Sequence, residues 1–152
     1  MDNLLQLEND LTFSSFNHED AYLLGQILVQ KIQKQKLKNI RMRIVLNHDI
    51  VFQYLMEGKH GDEWLNRKQK TVETFQHSSY YIWSCNEQTH QYDGYTKDST
   101  YAICGGGFPI IVQNEIIGCA IVSGLAHGED HQILVEALYE LKKHKEEKED
   151  TL

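Results

Sequence analysis

The segment GGGFPIIVQNEIIGCAIVSG, residues 105–124, carries the reading of the fold. Gly105, Gly106 and Gly107 permit backbone conformations closed to other residues and let a ligand or another stretch of chain approach the main chain. Ile110–Val112 then reads as a strand. Asn114 and Glu115 read as a tight turn, asparagine being the non-glycine residue best able to take a positive φ. Ile116–Val122 is apolar on both faces, which marks a central strand covered on each side. The glycines are not a P-loop, because no Lys-Ser/Thr pair follows and a strand comes next. Nor are they a dinucleotide fingerprint, for want of GxGxxG spacing and a βαβ unit.

Upstream, a second hairpin is expected. Ile40–Leu46 alternates, with Met42, Ile44 and Leu46 on one side and Arg41 and Arg43 on the other, the pattern of a half-buried strand. Asn47-His48-Asp49 is its turn and Ile50–Met56 its partner. Helices are expected around the hairpins. Asn3–Asn9 forms a short lead-in helix before an extended Leu11–Phe16. Asn17 caps a helix with Glu19 and Asp20 in its first turn and Ala21, Leu24, Gly25, Leu28 and Ile32 on one face. Gly25 there implies close approach to a sheet. Asp62 caps a helix from Glu63 to Phe75, Ser78–Glu87 is helical, and Tyr92–Ser99 is a loop. A last helix begins near Glu129, buries Leu134, Ala137, Leu138 and Leu141, and frays over its charged tail. Hairpins with amphipathic helices give an α+β architecture, an antiparallel sheet with helices packed on it.

Composition sets bounds on function. A chain of 152 residues with 41% hydrophobic and 24% charged residues matches one globular domain, expected to span 1–152 with a core of about 13–141 and a charged tail at 142–152. The longest apolar runs are too short to cross a bilayer, so no membrane association is expected. Met1-Asp2-Asn3-Leu4-Leu5 lacks the basic start of a secretory signal. Cys85, Cys104 and Cys119 form no CxxC pair and suit a reducing, cytoplasmic setting, as small buried hydrophobes. A net charge of −7 argues against nucleic acid as a partner. The local basic run Lys31, Lys34, Lys36, Lys38, Arg41 and Arg43 reads as a solvated helix face and end running into a strand.

Several side chains are candidates for chemistry. Lys68 falls in the apolar stripe Trp64, Lys68, Val72 and Phe75. It either runs its stem to water or serves an anion in a pocket, with Asn66 and Arg67 extending that pocket's mouth. The glycine run is either a strand-entry turn or a ligand-facing loop. Ser123-Gly124 ends a strand and leads to Glu129-Asp130-His131, which reads either as helix capping or, with His127, as a source of ligands whose spacing matches no standard zinc motif. Ser123 lacks a Ser-His-Asp context. Tyr80, Tyr81, Trp83, Tyr92, Tyr95 and Tyr101 suit a planar-ligand wall, a subunit interface or plain core packing.

Taken together, Trp64-Leu65-Asn66-Arg67-Lys68, Ser78-Ser79-Tyr80, the Gly105–Ile110 run, Ile117-Gly118, Val122-Ser123-Gly124-Leu125 and Glu129-Asp130-His131 resemble the heme-degrading domain family of the GlcG/HbpS-like superfamily. The resemblance covers about Phe13 to Leu141. It departs at Asn114-Glu115, in place of a glycine-containing turn, and at Ala126-His127-Gly128, in place of a proline-containing connection. The resemblance implies a profilin-like fold, an antiparallel sheet flanked by helices, assembled as a homo-oligomer, either a dimer or a larger ring. It also implies heme as a possible ligand or cofactor. The candidate pocket is Trp64, Asn66, Arg67, Lys68, Gly105, Gly106, Gly107, Phe108, Pro109, Ser123, Gly124, Asp130 and His131. In a small-molecule-binding reading, with heme or another planar or anionic ligand, Lys68 and Arg67 meet propionate or phosphate groups, and His131 or His127 is the axial ligand of an iron. Two other readings stand beside it: an oligomeric scaffold without small-molecule chemistry, and an enzyme on a small metabolite using Lys68 or His131 as acid or base.

Overall fold

Both expected hairpins form, and they join edge to edge. In the computed structural model, which describes residues 2–150, Arg41–Leu46 (β2) and Asp49–Leu55 (β3) make one, and Gly107–Val112 (β4) and Glu115–Ser123 (β5) make the other. β2 pairs antiparallel with β5, and Thr12–Phe13 (β1) adds a short parallel pairing to β4. The sheet order is β1-β4-β5-β2-β3, so the segment that opened the reading supplies the central strand. The architecture is α+β, as expected, but the sheet is mixed and not wholly antiparallel, because the chain leaves the first helix along β4 in the same direction.

Among the described residues, six helices surround the sheet: Asp2–Asp10 (α1), His18–Lys34 (α2), Glu63–Phe75 (α3), Ser79–Thr89 (α4), Asp93–Thr96 (α5) and His127–Asp150 (α6). α2 and α6 cover one face. Leu24, Leu28, Leu134 and Leu138 meet Met42, Ile44, Phe108, Ala120 and Val122 there. α3 covers the other face, with Leu65 and Val72 against Val45, Cys119 and Ile121. Period-2 alternation explains this division, since successive side chains of β2 and β5 enter opposite layers.

The expected cap of α2 is present in full. The Asn17 side chain accepts from the Asp20 N–H, and Asp20 accepts from the Asn17 N–H, both at 2.9 Å. Gly25 lies against β3 as inferred, because a β-carbon there would sit 2.6 Å from the Phe52 ring. The charged tail behaves differently from expectation. It stays helical through Asp150, and Lys145 bonds Asp20 at 2.6 Å and the Ser15 carbonyl, so α6 is pinned to the start of α2. The part of the expected tail at Thr151 and Leu152 lies outside the described residues.

Other differences have local causes. The positive φ of the second hairpin turn falls on Gln113 (57°), one residue before Asn114. Asn47 and His48, at 50° and 70°, make the first turn. α6 begins at His127, two residues early, and the expected loop after Tyr92 contains α5. Asp62 precedes α3 without a side-chain capping bond, because its carboxylate faces Arg43 and Asn66.

Arg43 is the largest correction. β2 is covered on both faces, and Arg43 is 1% exposed. Its guanidinium donates to Gln53 Oε1 (2.6 Å), Asn66 Oδ1 (2.7 Å) and Gln69 Oε1 (2.9 Å), and it faces Asp62 at 3.4 Å. Burial lowers its pKa from the ordinary arginine value, opposed by the nearby Asp62 charge. A planar fork with five donors suits a set of mostly neutral acceptors spread over two elements. Arg43→Lys is therefore expected to cost about 1–3 kcal/mol in urea unfolding, because a buried ammonium cannot reproduce the planar fork that meets three acceptors at once, although those exposed or half-buried acceptors can themselves turn to water. Asp62→Asn, at a half-exposed partner, is expected to cost below about 1 kcal/mol. Equal costs for the two would contradict this assignment.

Candidate functional site

Lys68 is buried, and its charge is met inside the protein. It projects from α3, is 2% exposed, and bonds Asp130 Oδ2 at 3.0 Å and the Val122 carbonyl at 2.9 Å. Asp130 is 1% exposed and lies in α6. The pair thus links helices that cover opposite faces of the sheet. Asp130 Oδ1 accepts the Leu125 N–H at 3.0 Å, so both carboxylate oxygens are engaged. Burial raises the Asp130 pKa above the usual carboxylate value, while the Lys68 charge and hydrogen bond and the Leu125 and Gly124 N–H groups pull it back. The Lys68 stem does not run to water, and the anion it meets within the chain is Asp130, on the floor of a cleft.

The glycine run serves this pair. Gly106 has φ +122°, and a β-carbon on it would lie 2.4 Å from both Lys68 Nζ and the Val122 carbonyl. The ammonium therefore passes where any side chain would stand. At Gly105 the main chain packs on α6, since a β-carbon would lie 2.3 Å from the His127 carbonyl, and its N–H donates to His127 Nδ1 at 3.0 Å. Gly107 N–H donates to Ser79 Oγ at 2.9 Å. All three glycines are buried, and the run leads directly into β4 at Gly107.

Above the pair lies a cleft of about 290 Å³. Lys68, Asp130, Ser123, Gly124 and Trp64 line it, together with Arg41, Lys59, Cys104, Leu125 and His127. Five of the thirteen candidate residues thus meet at one place. The other eight lie elsewhere. Asn66 belongs to the Arg43 network. Arg67 donates to the Tyr101 carbonyl at 2.8 Å and stacks 4.0 Å from the Trp64 ring centre. Gly105, Gly106 and Gly107 back the cleft without lining it, Phe108 is in the core, and buried Pro109 pairs with Cys119 in the sheet. His131 is behind the wall, stacked on Tyr80 with centroids 4.5 Å apart.

The sequence reading missed Arg41, Lys59 and Leu125 as cleft residues and took Cys104 for a buried hydrophobe. Arg41 stands opposite Ser123 in the β2–β5 register, so recognising it requires the pairing of two distant strands. Lys59 comes from the β3–α3 connection, where no local pattern singles out one lysine. The aromatics divide into two groups. Tyr80, Trp83, His127 and His131 stack beside the start of α6, whereas Phe75, Tyr92, Tyr95 and Tyr101 pack around α5. Among the described residues, no three His, Cys, Asp or Glu side chains gather to hold a metal ion. No described helix is long and apolar enough to cross a membrane.

A mixed sheet covered by helices on both faces thus carries a small cleft at the end of its central strand. The chain belongs to the HbpS-like family, whose model, described as a haem degrading protein HbpS-like, matches residues 16–139. A UPF0303 protein of Psychromonas ingrahamii is 34% identical over 147 residues, covering 93% of this chain and 92% of that protein. The crystal structure of Ybr137w protein matches with a TM-score of 0.84 at 26% identity, over 95% of this chain and 88% of that one. A PduOC:heme complex shares the fold, with a TM-score of 0.67 at 15% identity over 82% and 94% of the two chains.

Two outcomes test the site's energetics. Lys68→Met strands a buried carboxylate and is expected to cost about 3–5 kcal/mol, much of it recovered in Lys68→Met/Asp130→Asn. A double variant no more stable than the single would contradict the pairing. His131 is 4% exposed, its Nδ1 has no hydrogen-bond partner, and burial, with the nearby His127, lowers its pKa to about 4. The unfolded chain therefore binds a proton on this ring between about pH 6.5 and 4 that the folded chain does not, so stability falls as pH falls through that window. The raised Asp130 works in the opposite sense, its stabilising share declining as pH rises through its folded pKa. Going from pH 7 to 4.5, wild type is expected to lose on the order of 2 kcal/mol more than His131→Phe. Parallel pH profiles would show that His131 is not the group responsible.

Proposed function

We propose that the chain is a small-molecule-binding protein that holds a planar, anionic ligand in the cleft above the Lys68–Asp130 pair. The observation that carries this reading is Trp64. Its indole lines the cleft yet is 41% exposed, and Arg67, which does not line the cleft, stacks on it. A large aromatic side chain left this open is the wall that a planar ligand needs. Heme is the candidate that the family description and the PduOC complex name. The three free cysteines suit a cytoplasmic setting.

Iron coordination finds poor support in the residues present. Heme iron is held by an imidazole, a thiolate, a Met thioether or a Tyr phenolate, and of these types the described cleft lining offers only His127 and Cys104. His127 accepts a hydrogen bond at Nδ1, which puts its neutral-form proton on Nε2. Burial raises the Cys104 pKa above the ordinary thiol value, which disfavours thiolate. His131 is not on the cleft. The ligand is thus held by its ring face and its charge.

A second reading, an oligomeric scaffold, draws on the outer edge of the sheet, where Tyr22, Ile50 and Tyr54 are exposed along α2 and β3. Phe108, buried in the core, cannot supply such a contact. Light scattering of Ile50→Lys/Tyr54→Lys tests it, since an unchanged mass would remove this face from any assembly.

For the binding reading, tryptophan fluorescence is the direct probe, because the chain has only Trp64 and Trp83. Hemin is expected to give saturable quenching that Trp64→Leu abolishes and Trp83→Phe retains. Quenching that never saturates, or that survives in Trp64→Leu, would sink the reading.

A further inference from the structure

We infer that Arg41 and Lys59 form an oxyanion subsite in this cleft, one that takes a single carboxylate or phosphate group. The inference rests on the binding reading for its planar part and stands on separate observations for its charge. Arg41 begins β2 and donates from Nη2 to the His60 carbonyl at 3.0 Å. Its Nε is buried and has no hydrogen-bond partner. A buried guanidinium N–H without an acceptor is costly, and a bound oxyanion would satisfy it. No ion pair joins Arg41 or Lys59 to a carboxylate among the described residues.

Charge accounting leads to the same chemistry. Among the described lining residues the one carboxylate, Asp130, is matched by Lys68, and no described carboxylate pairs with Arg41 or Lys59. The chain as a whole carries −7, so this cationic spot is set against the protein's overall field. Arg41 brings a planar fork suited to two oxygens of one group, and Lys59 brings a point charge. Ser123, opposite Arg41 in register, and the His127 ring add donors to the same lining. An acidic ligand group and a ring on Trp64 can then be held together, which is how such pockets fix orientation as well as affinity.

The shared chemistry has two sources, a free oxyanion or the acidic group of a planar ligand. Thermal shifts with inorganic phosphate at constant ionic strength address the first. Titration with hemin against hemin dimethyl ester, in which the propionates are neutral, addresses the second. Wild type, Lys59→Gln and Arg41→Gln/Lys59→Gln are compared, with circular dichroism checking the fold and the lysine variant carrying the test should the double variant not fold. Phosphate is expected to raise the melting temperature of wild type and to lose this effect in the variants. Hemin is expected to bind about tenfold more tightly than its ester, falling to within about threefold in the variants. Phosphate protection with equal binding of hemin and ester would keep the subsite and assign it to a free oxyanion. An ester penalty without phosphate protection would assign it to the planar acid. No protection and no ester penalty, or effects undiminished in the variants, would overturn the inference. The tryptophan experiment fails separately, because it reads the ring and not the charge.

Discussion

An ammonium and a carboxylate buried together are tolerated only when each is met by the other and by further hydrogen bonds, since removing either charge from water costs several kcal/mol. Lys68 and Asp130 satisfy that condition with the Val122 carbonyl and the Leu125 N–H. Their positions give the pair its reach. α3 and α6 lie on opposite faces of the sheet and share little direct packing, yet this contact joins them around the end of β5. Gly106 must lack a side chain for the ammonium to pass, and Leu125 must turn its N–H back toward α6. The floor of the cleft is this constraint seen from outside.

The rest of the cleft follows from what the pair leaves unbalanced. Because Lys68 neutralises Asp130, the floor brings no net charge, and the character of the opening is set by Arg41, Lys59 and the Trp64 ring. The arrangement separates two roles that one lysine seemed at first to combine. Lys68 holds the scaffold, and a different pair of cations faces the solvent side. An enzyme reading that assigns Lys68 or His131 to acid–base work loses support for the same reason, as one is committed to Asp130 and the other is buried, stacked on Tyr80, and absent from the cleft lining.

Much of the fold was legible in the sequence because it depends on local periodicity. The apolar run Ile116–Val122 announced a strand covered on both faces, and the Asn17–Asp20 capping box placed the start of α2. The misreadings fall where a residue's environment is made by distant elements. Arg43 looked like the solvent side of an alternating strand, yet α3 returns over it and brings Asn66 and Gln69 to its guanidinium. The tail after Leu141 looked too charged to pack, but Lys145 finds Asp20 and the Ser15 carbonyl. In the site, Lys68 and Asp130 were marked as anomalies without being matched to one another, as 62 residues separate them. Arg41 and Lys59 gave no local signal, because a basic run beside a strand has the same appearance whether its members meet water or a ligand.

The central claim, that a buried ion pair fixes the chain between β5 and α6, is open to one direct measurement. The Leu125 amide lies in neither a helix nor a strand, and its hydrogen-bond acceptor is Asp130 Oδ1. Native-state hydrogen exchange at this amide is expected to be as slow as in the central strands, proceeding through global unfolding. Exchange at the rate of an exposed loop, with β5 fully protected, would contradict the account.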